Sequence, residues 1–212
     1  DYVEPTWSPT GDRIAFVYSQ PFFSKLGRHP GLYVVNLDGK TGLRLYKEEA
    51  DDVENIQWSP KGEKISFTTT REKETTMTDA YGNEVFTGEE DVGYLTYVTE
   101  VSKDNAIISL AETVNEPMVL DWSSDGNRVA YTDNFSAYVE PVGSDDVSKF
   151  GVPYALGAPK WGPNNKKVVC EGIEKGFGGN RTLYVFDYRA GEVYKLLEGK
   201  ADAEHPVWMP RK

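Results

Sequence analysis

Apolar positions in this chain come in short runs that break off at turns. The run Ile14-Ala15-Phe16-Val17-Tyr18 is followed by Leu32-Tyr33-Val34-Val35. A turn at Asp38-Gly39 then leads into Gly42-Leu43-Arg44-Leu45-Tyr46. Later, Val168-Val169-Cys170 is followed by Leu183-Tyr184-Val185-Phe186, a turn at Ala190-Gly191, and Val193-Tyr194-Lys195-Leu196-Leu197. No stretch keeps a helical period, so the pattern predicts strands throughout. Several runs are apolar on consecutive residues, which predicts sheets buried on both faces.

Aligning the tryptophans exposes a repeat. Trp7 heads WSPTGDRIAF, Trp58 heads WSPKGEKISF, Trp122 heads WSSDGNRVAY and Trp161 heads WGPNNKKVVC. Each copy is a tryptophan, a turn, a basic residue and an alternating strand. Ser8-Pro9-Thr10-Gly11 has the residues a type I turn prefers: a short acceptor first, a preset φ second and a glycine fourth. Ser59-Pro60-Lys61-Gly62 repeats it, and Ser123-Ser124-Asp125-Gly126 keeps Asp-Gly. In Gly162-Pro163-Asn164-Asn165, asparagine takes the glycine's place, the next best residue for a left-handed conformation. The third unit is short: Val129 to Thr132, Ala137 to Glu140 and Val147 to Phe150. The second is the longest, with later strands expected at Gly93 to Glu100 and Ala106 to Leu110.

Each unit thus predicts four strands, A to D. A four-stranded sheet flanked by copies of itself is a propeller blade. The expected architecture is an all-β propeller of four four-stranded blades, at about 1–50, 51–112, 113–153 and 154–199. A closing strand follows at 200–212, where His205-Pro206-Val207-Trp208-Met209-Pro210 is a fifth copy of strand A. Trp7, Trp58, Trp122, Trp161 and Trp208 are the expected packing anchors. One face of the first blade, with Ile14, Phe16, Leu32 and Val34, is expected to lack a neighbour.

The pattern WSPxGxxIAF followed by LYVVNLDG resembles the repeats of TolB-like six-bladed propellers. The propeller domains of dipeptidyl-peptidase and prolyl-oligopeptidase relatives carry similar repeats. The resemblance covers essentially the whole chain and implies the fold. It implies that the terminal strand completes a first blade whose other strands lie upstream of Asp1. The chain is then the C-terminal part of a longer ring and, made alone, is expected to self-associate or fold poorly. An open or four-bladed variant is the other reading of the same ends. An extracytoplasmic location is implied by the resemblance alone.

Charge and composition narrow the function. A net charge of −11 argues against nucleic acid as a partner. No apolar run approaches the roughly 20 residues of a membrane helix. Cys170, the single cysteine, lies in an apolar run and is expected in the core. The two histidines are His29 and His205; the latter precedes a proline at a strand entrance and is read as structural. No Gly-x-Ser-x-Gly elbow and no zinc-ligand spacing of Cys and His is present. Gly176-Phe177-Gly178-Gly179 joins no strand to a helix and is read as a loop. The acidic pairs and triplets at Glu48-Glu49, Asp51-Asp52, Glu89-Glu90-Asp91 and Asp145-Asp146 match no calcium loop and are read as solvated. No catalytic residue, metal or cofactor is therefore expected.

Topology says where a partner would bind. In an antiparallel meander the A–B and C–D turns share one face, and the B–C connections share the other with the links between blades. The A–B and C–D turns are short and uniform. The B–C connections vary: Ser19 to Gly31, Thr70 to Val92, Asp133 to Ser136 and Glu171 to Thr182. Long irregular loops on a rigid scaffold are candidates for binding. The first holds Phe22 and Phe23 beside Lys25, Arg28 and His29, which suits contact with a protein or peptide. Equally, the phenylalanines could cover a blade edge. The leading expectation is a non-enzymatic scaffold that binds a protein or peptide on this face. The alternatives are a propeller gating a peptidase whose catalytic domain is absent, and a propeller binding a carbohydrate or small molecule.

Overall fold

The computed structural model describes residues 2–18, 31–38, 42–46, 53–102, 106–113, 118–133, 136–151, 155–173 and 180–196, together with Pro206 and Trp208. All regular structure among them is strand. Blade 1 is β1 (Tyr2–Trp7), β2 (Arg13–Tyr18), β3 (Gly31–Asn36) and β4 (Gly42–Tyr46). Blade 2 is β5 (Glu54–Trp58), β6 (Lys64–Thr78), β7 (Glu84–Glu100) and β8 (Ile107–Thr113). Blade 3 is β9 (Met118–Trp122), β10 (Arg128–Asp133), β11 (Ser136–Pro141) and β12 (Ser148–Gly151). Blade 4 is β13 (Ala155–Trp161), β14 (Lys167–Ile173), β15 (Arg181–Asp187) and β16 (Glu192–Lys195). Each sheet is four-stranded, with its strands hydrogen-bonded in chain order, as in a propeller blade.

The A–B turns form as their residues dictate. Gly11, Gly62 and Gly126 hold φ near +70°, and Asn165 takes φ of 52° at the same position. The turn closes with Gly11 N–H donating to Ser8 C=O at 2.9 Å. The serine side chain then accepts the amide of the residue that opens strand B. Arg13 N–H reaches Ser8 Oγ at 3.1 Å, and Lys64 and Arg128 reach Ser59 and Ser123 at 3.0 Å. Blade 4 has Gly162 in the serine's place. A β-carbon there would stand 3.2 Å from Lys167 O and 3.3 Å from the Trp208 ring, so the tryptophan occupies the space a side chain would need.

Strand registers are equivalent across blades. Trp7 faces Ile14, Trp58 faces Ile65, Trp122 faces Val129 and Trp161 faces Val168. Successive blades pack through apolar faces. Ala15, Val17, Leu32, Val34 and Leu45 meet Ile56, Trp58, Ile65 and Phe67 between blades 1 and 2. Val98 and Leu110 meet Leu120, Trp122, Val129 and Tyr131 between blades 2 and 3. Ala137, Val139 and Phe150 meet Trp161, Val168, Cys170 and Phe186 between blades 3 and 4. Burying one large side chain of this kind contributes roughly 1.5–3 kcal/mol, so these seams carry the stability.

A hydrogen bond accompanies each seam. Trp58 Nε1 donates to Thr6 O at 3.2 Å, Trp161 Nε1 to Asp121 O at 3.1 Å, and Trp208 Nε1 to Lys160 O at 2.9 Å. In every case the acceptor is the carbonyl one residue before the tryptophan of the preceding blade. The seam between blades 2 and 3 differs. Trp122 Nε1 donates to Ser66 Oγ at 3.1 Å, and that hydroxyl lies 3.5 Å from Gln57 O, the equivalent carbonyl. The serine is thus inserted as a relay.

Two expectations are corrected. Leu32 and Val34 do not lie on an uncovered face: they are 0% and 3% exposed, against blade 2. Cross-strand register decides this, because Val17 pairs with Leu32 and Ala15 with Val34, while Ile14 pairs with Val35 and Phe16 with Tyr33. The face away from blade 2 is therefore Trp7, Ile14, Phe16, Tyr33 and Val35. Ile14, Phe16, Tyr33 and Val35 are half-buried there and Trp7 is 59% exposed. The second correction concerns Thr70 to Val92, which is not an irregular loop. Strands β6 and β7 continue through it and pair as far as Thr78↔Glu84.

Candidate interaction face

The two faces of the blade array differ in kind. The turn face is tied together across blades. Arg13 Nη2 donates to Gly62 O at 2.8 Å, and its guanidinium lies 5.3 Å over the Trp58 ring. Asn165 Oδ1 accepts both the amide and the hydroxyl of Ser124 at 2.9 Å. A cleft of about 340 Å³ opens here between blades 1 and 2, lined by Arg13, Gly62, Glu63, Lys64, Glu100, Val101 and Ser102. Its cations and carboxylates are mixed, and its floor is the same turn backbone that joins the blades.

The opposite face carries the B–C connections. The loop with Phe22, Phe23, Lys25, Arg28 and His29 lies outside the described residues, as does His205. The connection described throughout is that of blade 2. Its strand β5 pairs with β6 only as far as Thr68, and β8 pairs with β7 only from Tyr94 on. Beyond those points β6 and β7 pair with each other as a two-stranded ribbon, from Arg71↔Gly93 to Thr78↔Glu84. Eight residues of β6 at ~3.3 Å each make a projection of about 25 Å.

The ribbon's tip is ordered by one side chain. Asp79 Oδ1 accepts the amides of Tyr81 at 2.8 Å and Asn83 at 2.9 Å, and Asn83 Nδ2 reaches Oδ2 at 3.1 Å. These bonds, led by that of the Asn83 amide, hold the Asp79 carboxyl below its ordinary range. Gly82, at φ of 85°, completes the reversal. Against this fixed turn, Tyr81 is 91% exposed, and the cross-strand pair Met77 and Val85 is 59% and 44% exposed.

Two acids, one buried and one half-buried, were not singled out by sequence reasoning. Glu140 on β11 is 3% exposed and accepts a hydrogen bond from Tyr131 OH at 3.0 Å. It pairs with Val129, so it lies on the face of blade 3 that meets blade 2. Burial raises its carboxyl from 4.5 to about 7, opposed by the Tyr131 bond and reinforced by Asp145. The available signal was a lone acid inside the strand Ser136–Pro141. Asp121 on β9 accepts the Trp161 amide at 2.7 Å and stands 3.7 Å from Lys160 Nζ. Burial raises its carboxyl, while those two partners pull it down. It clasps the inner strands of blades 3 and 4.

Among the described residues no three His, Cys, Asp or Glu side chains gather as a metal site requires. Asp145 and Asp146 are exposed. The Cys170 thiol is fully buried, and burial with Glu171 beside it pushes it up to about 12, far from a reactive thiolate. No helix among the described residues is long and apolar enough to cross a membrane.

Comparison with known proteins places the fold. The family model described as the dipeptidyl peptidase IV N-terminal region matches residues 1–85. No curated protein matches the sequence. Dipeptidyl peptidase 4 from Porphyromonas gingivalis superposes with a TM-score of 0.61 at 14% identity, over 96% of this chain and 33% of that one. The β-propeller domain of the trilobed protease from Pyrococcus furiosus gives 0.56 at 15% identity, over 93% and 57%. TolB from Acinetobacter baumannii gives 0.52 at 16% identity, over 95% and 45%. The chain therefore spans less than two thirds of the length of each. These likenesses to TolB and to peptidase propellers are likenesses of fold, and the shared fold is that of a β-propeller.

Proposed function

We propose that this TolB-like, peptidase-type propeller is a non-catalytic scaffold that binds a protein or peptide on the face carrying its B–C connections. The observation that supports it is the blade 2 ribbon. A two-stranded projection is marginal in water on its own, yet this one ends in a turn fixed by Asp79 and presents Tyr81, Met77 and Val85 to solvent. A rigid tip with exposed aromatic and aliphatic side chains is suited to anchoring a partner. The turn face is used up in joining blades. Phe22, Phe23, Lys25, Arg28 and His29, which the sequence assigns to the B–C connection of blade 1, are proposed to extend this surface. An extracytoplasmic location fits the TolB and dipeptidyl peptidase 4 likeness.

Photo-crosslinking tests the face. A crosslinker at Tyr81 or Phe22 should trap a discrete partner, and one at Lys61 or Asn164 should not. Adducts confined to the turn face would refute the reading. The match of residues 1–85 to a peptidase N-terminal region favours a second reading, a propeller that gates a separate catalytic domain. In that case the trapped partner is a hydrolase domain of the same gene product. In either case the chain itself is expected to leave a panel of peptide and ester substrates intact. Hydrolysis abolished by one substitution here would overturn this.

A further inference from the structure

Blade 1 turns a seam face to solvent. Cross-strand partners, and residues two apart on a strand, share a face. Trp7, Ile14, Phe16 and Tyr33 therefore lie together on the side of blade 1 that looks away from blade 2. At the same register positions blade 2 holds the same residue types: Trp58 opposite Ile65, and Phe67 opposite a tyrosine, Tyr97. There Ile65 and Phe67 are 0% exposed and Trp58 is 8% exposed, because blade 1 lies over them. On blade 1, Ile14, Phe16 and Tyr33 are half-buried and Trp7 is 59% exposed. The Trp58, Trp161 and Trp208 indoles each bond to a carbonyl of the blade before them. The Trp7 indole bonds to no described residue. Residue for residue, the face continues the interface already formed between blades 1 and 2.

Blade 4 carries the matching kind of surface. In the seam with blade 2, blade 1 contributes Ala15 and Val34, with Leu43 packed beside them. The equivalent residues of blade 4 are Val169, Val185 and Tyr194, by the pairings Val169↔Val185 and Val185↔Tyr194. Their face looks away from blade 3, which meets Val168, Cys170, Tyr184 and Phe186 instead. Trp208, bonded to Lys160 O, takes there the place that the next blade's tryptophan takes in the other seams. What stays open on this face is Tyr194, 42% exposed at the position where Leu43 packs into a seam, and Trp208, 36% exposed. Tryptophans inside the array are only 7–8% exposed.

Charge is compatible with bringing the two faces together. The chain's net charge of −11 opposes self-association at long range. The Trp7 face adds no acid to it: the charged position there is Arg44, opposite Tyr33. On blade 4, Asp187 and Glu192 pair across the strands two residues beyond Val185 and Tyr194. A cation on one face and two carboxylates on the other favour unlike faces over like ones.

We infer that the Trp7 face of blade 1 is a docking surface for a second copy of this chain, which presents the Tyr194 and Trp208 side of its blade 4. The contact is heterologous, so copies add head to tail. It is separate from the B–C face, and its failure leaves the reading of that face untouched.

Sedimentation of the full chain over a range of concentrations tests it, in high salt to screen the like net charges. The parent should form species that grow with concentration. W7S and Y194S should each weaken association about tenfold or more. Mixed, the two variants retain one intact face of each kind and should form a one-to-one pair and nothing larger. Urea midpoints near the parent's for both variants separate lost docking from lost folding. A second measurement leaves an aromatic ring in place: benzoylphenylalanine substituted at Trp7 should crosslink to the Tyr194 segment of another copy. The inference is overturned if the parent stays monomeric at every concentration, or if either variant associates as the parent does. It is equally overturned if the mixed variants fail to pair, if Y194S alone still dimerises through two Trp7 faces, or if the Trp7 crosslinks map to a blade other than blade 4.

Discussion

Replacing Glu140 by Gln removes one titrating group from the seam between blades 2 and 3 and keeps an oxygen to accept the Tyr131 hydroxyl. Burial raises the Glu140 carboxyl from 4.5 to about 7 in the folded chain. The folded state therefore holds the proton where the unfolded state has lost it. Below pH 4.5 both states are protonated and the native protein has its full stability. As pH rises from 4.5 to 7 the unfolded state ionises first and stability falls; above 7 it levels. At 1.36 kcal/mol per unit, the total fall is about 3 kcal/mol. The Gln variant has no such slope. Urea unfolding followed by tryptophan fluorescence, from pH 4 to pH 8.5, gives the difference between parent and variant at each pH. Every other carboxylate cancels in that difference. The variant should gain on the parent steadily across this window and be the more stable protein at pH 8. A difference that is flat, or that grows towards acid, would refute the assignment of a buried, proton-holding Glu140. Tyr131→Phe should act in the opposite sense. It strips the carboxylate of its donor and should cost most, on the order of 1–3 kcal/mol, above pH 7.

Other substitutions probe the seams and turns by the same unfolding assay. Ser66→Ala leaves the buried Trp122 indole N–H without its acceptor and should cost roughly 1–3 kcal/mol, whereas Thr6→Ala, whose carbonyl is the acceptor, should be close to neutral. Trp58→Ala should cost about 3–5 kcal/mol, and Trp7→Ala, at the same register position but 59% exposed, under about 1 kcal/mol. Asn165→Ala should cost about 1–2 kcal/mol, because a β-branch-free but non-glycine residue is strained at φ of 52° and the bond to Ser124 is lost; Asn165→Gly should cost less. Cys170 should resist thiol reagents in the native chain and label only as it unfolds, as its fully buried, proton-retaining thiol requires.

The blade pattern was legible because each repeat states its geometry locally. A glycine or asparagine stands where the turn needs positive φ, and an aromatic stands where strand A meets the preceding blade. What local pattern does not state is register between strands. Leu32 and Val34 look like Ile14 and Phe16 in isolation, and only the pairing of β2 with β3 assigns them to opposite faces. The ribbon was misread for a different reason. Its charges suggested a solvated loop, but its threonines favour strand, and Asp79 with Gly82 supplies a tight reversal. Strand continuation there needs no buried face, so no apolar alternation announces it. Glu140 was overlooked because a single acid in a strand reads as a solvent-facing position. Its burial depends on how far blade 2 overlaps blade 3. Of the proposed surface, the loop from Phe22 to His29 was legible as composition only, while the ribbon became a candidate once its pairing was known.

The tryptophan bonds also determine which letters of the sequence are free to change. At three seams the acceptor is a main-chain carbonyl, so the side chain at that position is not specified by the bond. The residues found there are Thr6, Asp121 and Lys160, which share no chemistry. At the seam between blades 2 and 3 the acceptor is a side-chain hydroxyl, and position 66 is fixed to a residue that can both accept from the indole and sit in full burial. Homologous or engineered versions of this array should therefore be able to change the side chain at the carbonyl positions without losing the indole bond, although Asp121 is held by its own bond to the Trp161 amide, while a change at position 66 should demand a matching change at position 122.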